Sequence, residues 1–243
     1  MKHGKQKLFV ATLMALAFAG AQAAPPTVDD VGDVQSFGHN AQYMGAKSGF
    51  IQLSPDPCPV PSPTPDPGNQ CFQIVAPPPA TTTFVAEDIL FIKLPKKATR
   101  TIIYPALNFF LNYQLQNTTG VAQPQGLFAF LASLDIESDV LLDPTIIDPG
   151  TGLPANGKLT NQFTYRYRDD RSMDVTDRQR TQITLVRVGN AGINKSQLVG
   201  MGLSQAVVDN LFNGEMTIRM RITGSATLLT DATLTANMRL FGD

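Results

Sequence analysis

Residues 216–223 read MTIRMRIT. Met216, Ile218, Met220 and Ile222 alternate with Thr217, Arg219, Arg221 and Thr223, and a period of two sends the two sets to opposite faces of an extended strand. One face is buried and one is wet. Phe163-Thr164-Tyr165-Arg166-Tyr167-Arg168 repeats the pattern with aromatics. It recurs where Leu234, Ala236, Met238 and Leu240 alternate with Thr235, Asn237 and Arg239. This is the signature of antiparallel sheets that each cover a core on one side.

Working toward the N-terminus, β-branched and aromatic residues fill TTTFVAEDILFIKL (81–94), TIIYPALNFFLNYQLQN (101–117) and GLFAFLASLDIESDVLL (126–142). Pro95, the stretch Asn117 to Gly120, and Asp143-Pro144 separate them. Pro105 cannot donate to a ladder, so it marks an edge, a strand start or a bulge. DPTIIDPGTGLPANGK (143–158) is an extended turn region. Ser204 to Phe212 is a helix: Val207, Val208, Leu211 and Phe212 fall on one face, Ser204 suits its N-cap, and Asn213-Gly214 suits its end. Two to three turns do not persist alone in water, so that apolar stripe must pack on the sheets. Eight to ten strands with one short helix near 204–213 predict an all-β fold, an antiparallel β-sandwich, with the jelly roll as the specific arrangement to test.

The N-terminal residues belong to a different regime. Lys2, Lys5 and Lys7 precede an apolar run from Leu8 to Ala19 and the small-residue pattern Ala21-Gln22-Ala23, which reads as a secretory signal peptide over 1–23. About twelve apolar residues are too few to span roughly 30 Å of hydrocarbon, and no later stretch reaches eighteen, so no transmembrane helix is expected in the mature chain. The expected location is outside the cytoplasm: periplasm, cell surface or extracellular space. Removing 23 of 243 residues leaves 220, enough for one sizeable β domain. The expected organisation is an N-terminal arm over 24–46 and a single β-sandwich domain over 47–243, containing a Pro-rich loop at 54–71.

The mature chain carries 16 basic and 20 acidic residues, a net charge of −4 that gives nucleic-acid binding no compositional support. His39 is its sole imidazole, which excludes His-rich metal centres. Cys58 and Cys71 are the only cysteines, and an exported chain makes a disulfide between them the default. In that loop, proline occupies every odd position from Pro55 to Pro67. Each intervening residue is pushed to extended geometry, and a straight path from Cys58 to Pro67 would cover roughly 28 Å. A bridge needs Cα atoms within about 7 Å, so the loop must fold back. A turn at Asp66-Pro67-Gly68-Asn69 and a further bend or cis proline between Pro59 and Pro65 are expected, with Phe50–Leu53 and Phe72–Val75 as the two arms of a hairpin.

Candidate chemistry is sparse. Gly202-Leu203-Ser204-Gln205-Ala206 resembles a loosened nucleophile elbow, but the second glycine is replaced by Ala206 and only His39 is available as base, so a helix cap explains it better. YRYRDDRSMDVTDRQR (165–180) concentrates five arginines with Asp169, Asp170, Asp174 and Asp177. These four are the weak candidates for a calcium site, but calcium-loop spacing is absent and the interleaved arginines compete, so a salt-bridged hairpin end is expected instead. Glu87, Glu137 and Glu215 are the only glutamates, and without tryptophan a sugar site would lean on Tyr165 and Tyr167. Asn117 and Asn194 stand in glycosylation sequons. The closing alternation ATLTANMRLFGD also allows an outer-membrane barrel as a distant alternative.

No catalytic set and no cofactor are therefore expected. The reading is a secreted or periplasmic structural or adhesive protein, a surface, matrix or appendage component. Its partner would be a protein or cell-surface material, with self-association through an edge strand as one route. The alternative is a glycan- or small-ligand-binding module.

Overall fold

The alternation at 216–223 becomes β9 (Met216–Thr227) of a two-layered sandwich whose computed structural model describes residues 42–59, 67–75, 77–189 and 192–243. Its other strands are β1 (Gln42–Ser54), β2 (Asn69–Gln73), β3 (Thr81–Leu94), β4 (Ile102–Gln116), β5 (Gln123–Glu137), β6 (Lys158–Met173), β7 (Arg178–Val188), β8 (Ile193–Asn194) and β10 (Leu229–Gly242). Two helices, α1 (Lys195–Gly200) and α2 (Gln205–Asn213), lie between β8 and β9. One sheet runs β2-β1-β10-β4-β7, with β8 also paired to β4; the other runs β3-β9-β5-β6.

Setting aside the short β2 and β8, the eight long strands in chain order are arranged 1-8-3-6 in one sheet and 2-7-4-5 in the other. The first pairs with the last (β1–β10), and inward from there β3 pairs with β9, β4 with β7 and β5 with β6, all antiparallel. That is one long hairpin wound around a barrel-like core, the jelly-roll form of the sandwich. Odd residues of β4 from Leu107 to Leu115 and even residues of β5 from Phe128 to Ile136 point inward and are buried. Aromatic side chains stitch the layers together, with Phe109 and Phe130 at 5.3 Å and Tyr113 stacked on Phe128 at 4.5 Å. Apolar residues line the inside, the reverse of the lipid-facing band of a membrane barrel, so the distant barrel alternative does not describe this architecture. Among the described residues no helix is long and apolar enough to cross a membrane.

Several expectations need correction. β1 and β2 do not form a hairpin: they pair in parallel, Phe50 opposite Asn69 and Gln52 opposite Cys71. The connection from Pro55 to Gly68 is long enough for a parallel crossover, which takes roughly a dozen residues. The Cys58–Cys71 disulfide is present, with its Cα atoms 5.6 Å apart. Pro67 and Gly68 form a turn whose Gly68 carbonyl accepts from Phe50 N–H at 2.7 Å. The second bend, expected between Pro59 and Pro65, falls on a stretch outside the described residues, as do residues 1–23, read as a signal peptide, and most of the expected arm. β1 starts at Gln42, opposite Gly242, so the sandwich claims the last residues of the expected arm.

The helix at 204–213 forms as read. Ser204 Oγ accepts from Val207 N–H at 3.3 Å, and Gly214 N–H donates to the Asn210 carbonyl at 2.8 Å. A second, shorter helix, α1, was not expected; Asn194 caps it by accepting from Gln197 N–H at 2.7 Å. A 3-10 turn at Asp139–Leu142 follows β5, capped by Ser138. Finally, β6 and β7 are joined by a tight turn, Asp177 N–H to the Asp174 carbonyl at 3.1 Å, yet they do not pair as the expected hairpin. β5 and β4 take them into different sheets.

Candidate functional site at the open edge

Because β6 and β7 belong to different sheets, one side of the sandwich ends in two strand edges that face the same way. Among the described strands β6 pairs with β5 alone and β7 with β4 alone. β7 is the more exposed. Its register against β4 is unbroken from Gln116–Arg178 to Ala106–Val188, and it holds neither proline nor glycine. Only Thr181 and Leu185 are half-buried; Val186 is 65% exposed, and Ile183 and Val188 are also open to solvent. An unpaired, regular, partly aliphatic edge of this kind is a template for another strand.

Between the two edges, polar side chains replace the apolar core. Tyr113, fully buried on β4, reaches the Tyr167 hydroxyl at 2.8 Å and donates to the Asp169 carboxylate. Arg171 braces the same carboxylate from Nε at 3.0 Å and from a second nitrogen, and its remaining arm reaches Gln179 on β7. Burial first, and then the hydrogen bonds to Asp169 and Tyr167, push the Tyr113 phenol far above its usual range, so it remains a protonated donor. The network holds the two edges at a fixed spacing without joining their backbones.

The predicted acidic cluster is thereby dispersed. Asp169 points inward to Tyr113 and Arg171, while Asp170 points outward to Arg168 and Gln125. Asp177 accepts from the Asp174 backbone N–H at 2.8 Å within the turn. Among the described residues no three acidic, histidine or cysteine side chains gather where they could hold a metal. Tyr165 stacks on Phe109 at 5.3 Å and Tyr167 lies against Phe130 at 5.7 Å, so both serve the core edge. Glu137 pairs with Arg219 and Glu87 approaches Arg221 at 4.0 Å. Asn117 is 2% exposed and its amide nitrogen donates to the Val121 and Asp174 carbonyls, which removes it as a glycan acceptor in the folded state. Ser204 serves as a cap, and His39 lies outside the described residues.

β7 itself was missed in the sequence. Its clue was the run TQITLVRV (181–188), β-branched without the strict alternation of a half-buried strand. Its charge is also one-sided. Arg178, Arg180 and Arg187 have no acidic neighbour on the strand, and among the described residues only Arg180 approaches a carboxylate, Asp231 at 3.8 Å.

The outer face of the same sheet offers a second feature. Phe110, 48% exposed, stands between Asn108 and Asn112 along β4 and between Thr235 and Thr184 across the sheet. A shallow depression of about 510 Å³ lies beside it, lined in part by Asn108, Val186, Asn237 and Ser48. No family model matches the chain, and no curated protein or solved structure matches it either.

Proposed function

We propose that this chain is an exported structural component that assembles by adding strands to the open edge of its sandwich. The carrying observation is the free edge of β7, eleven residues long, regular, and blunted by nothing except its arginines. Strand addition supplies backbone hydrogen bonds to any extended partner, and the side chains beside the edge then select among partners. Positive charge disfavours a second β7 and favours an acidic strand. The leader-like pattern at 1–23 and the disulfide support an oxidising compartment outside the cytoplasm. The partner is a protein at or beyond the cell surface, another copy included.

The test is sedimentation of the mature chain, residues 24–243, over a wide concentration range, with electron microscopy of the largest species. Growth of defined oligomers or filaments is expected. A monomer at millimolar concentration that also binds no cell-surface material would sink the proposal.

A glycan-binding reading has one observation in its favour. Phe110 supplies an exposed ring among amides and hydroxyls, and Asn108 Oδ1 lacks a hydrogen-bond partner among the described residues. Titration calorimetry with cell-wall oligosaccharides against wild type and Phe110→Ala decides it; heat that is absent, or unchanged by the substitution, rejects it.

A further inference from the structure

We infer that the strand completing the open edge is residues 27–37 of a second copy, running parallel to β7, an inference that rests on the assembly reading above. Residues 24–41 contain Asp29, Asp30 and Asp33 and no lysine or arginine. β7 contains Arg178, Arg180 and Arg187 and no acid, and neither Arg178 nor Arg187 makes an ion pair among the described residues. The acidic stretch that precedes β1 in sequence thus complements the basic edge of β7.

Order along the two segments sets the direction. β7 begins with Arg178 and Arg180 and ends in Ile183, Leu185, Val186 and Val188, interrupted by Arg187. The arm begins with Asp29, Asp30 and Asp33 and ends in Val34 and Phe37. Side by side in parallel, Asp29 falls opposite Arg180 and next to Arg178, and Val34 and Phe37 fall opposite Leu185 and Val188. Antiparallel pairing would put Phe37 beside Arg178 and the aspartates beside the aliphatic end. Residues 27–37 also match the eleven residues of β7 in length.

Reach then separates a second copy from the same chain. β10 and β4 stand between β1 and β7, so a strand added beside β7 would lie four spacings, about 19 Å, from β1 at ~4.8 Å per strand. The chain must also shift along the strands, because Gln42 sits opposite Gly242 and Ile103 whereas β7 ends opposite Ala106. From Phe37 to Gln42 there are five steps, at most about 18 Å at full extension. The arm cannot lie along its own β7 over that length, but it can lie along a neighbour's. Arm and edge are different surfaces, so the contact is heterologous and propagates as an open chain of subunits.

The experiment is charge exchange on the mature chain, read by sedimentation velocity at two salt concentrations. Asp29→Lys/Asp30→Lys/Asp33→Lys changes residues that precede β1; Arg178→Glu/Arg180→Glu reverses the two arginines set beside Asp29 and removes within the sandwich only the exposed contacts of Arg180 to Asp231 and Asn112. Each variant alone is expected to need at least about tenfold more protein to associate, the mixture of the two to regain association, and a synthetic peptide of residues 24–41 to dissociate wild-type assemblies. High salt weakens every one of these contacts. Association that survives the aspartate variant and resists the peptide overturns the arm assignment but leaves edge assembly standing. A monomeric wild type overturns both.

Discussion

At one edge of the sandwich β1 and β2 lean onto β3 until backbone meets backbone, whereas at the other β6 and β7 stay apart and only side chains bridge them. On the closed side a Cβ at Gly49 would sit 2.4 Å from the Ile89 carbonyl oxygen, at the bulge where β3 shifts register between Ala86 and Leu90. Gln70 Nε2 donates to the Glu87 carbonyl at 2.7 Å, Phe72 packs on Phe84 at 5.5 Å, and the disulfide anchors β2 behind them. The open side has no such closure. The difference teaches where this fold has been protected against added strands: the closed edge by a short strand, a bulge and a covalent staple, the open edge by charge alone.

The largest effect should come from breaking the closed side. Gly49→Val has no room against Ile89, and a loss of about 3 kcal/mol or more is expected in urea unfolding. A variant as stable as wild type would mean that β1 and β3 are not held in this contact. Next, Cys58→Ser with Cys71→Ser should cost about 2–3 kcal/mol by releasing the crossover loop, read as a lower melting temperature. On the open side Tyr113→Phe removes one hydroxyl from the network, an expected cost of about 1 kcal/mol that chemical denaturation resolves. A cost equal to that of Gly49→Val would erase the contrast between the edges.

Asp243 tests what stands behind the open edge. Its carboxylate accepts from Thr99, Thr101 and the backbone N–H groups of Thr101 and Ile102, clamping the loop that enters β4, the partner of β7 among the described strands. Burial opposes its ionisation, but the hydrogen bonds led by Thr101 outweigh that and hold the carboxyl well below the ordinary carboxylate range. A lowered folded pKa means the stabilisation is complete above about pH 4 and is lost as pH falls from there through the folded value. Asp243→Asn should therefore flatten the acid limb of stability by about 1 kcal/mol, allowing for solvent screening of this half-buried group. An unaltered acid limb would assign the pH dependence elsewhere. The smallest effect belongs to β7: Val186→Thr, at a 65% exposed position, should shift stability by less than about 0.5 kcal/mol.

Strand faces were legible in the sequence because burial on one side imposes a period of two, and the alternations at 163–168, 216–223 and 234–240 survive unchanged in β6, β9 and β10. Ser204 was legible because capping is local. What escaped was long-range. The direction of β2 depends on where a crossover returns, and nothing near Asn69 encodes that. β6 and β7 were read as one charged hairpin because their joining turn is tight, while their separate sheets are chosen by β5 and β4, dozens of residues upstream. For the candidate site, Asp169 and Asp170 looked equivalent, yet one is locked inside against Tyr113 and the other salt-bridged outside. The free edge left no local signal beyond the loss of alternation after Arg180.

The pairing of β1 with β10 has a consequence in time. The first strand cannot find its neighbour until the last has been delivered, so the sheet that carries the free edge closes only when the whole chain is present. Non-local closure of this kind is slow, on the order of milliseconds to seconds for all-β domains. Whatever delivers the chain in order from its N-terminus, the sandwich cannot lock before β10 has emerged, and until then β1 stays without its antiparallel neighbour.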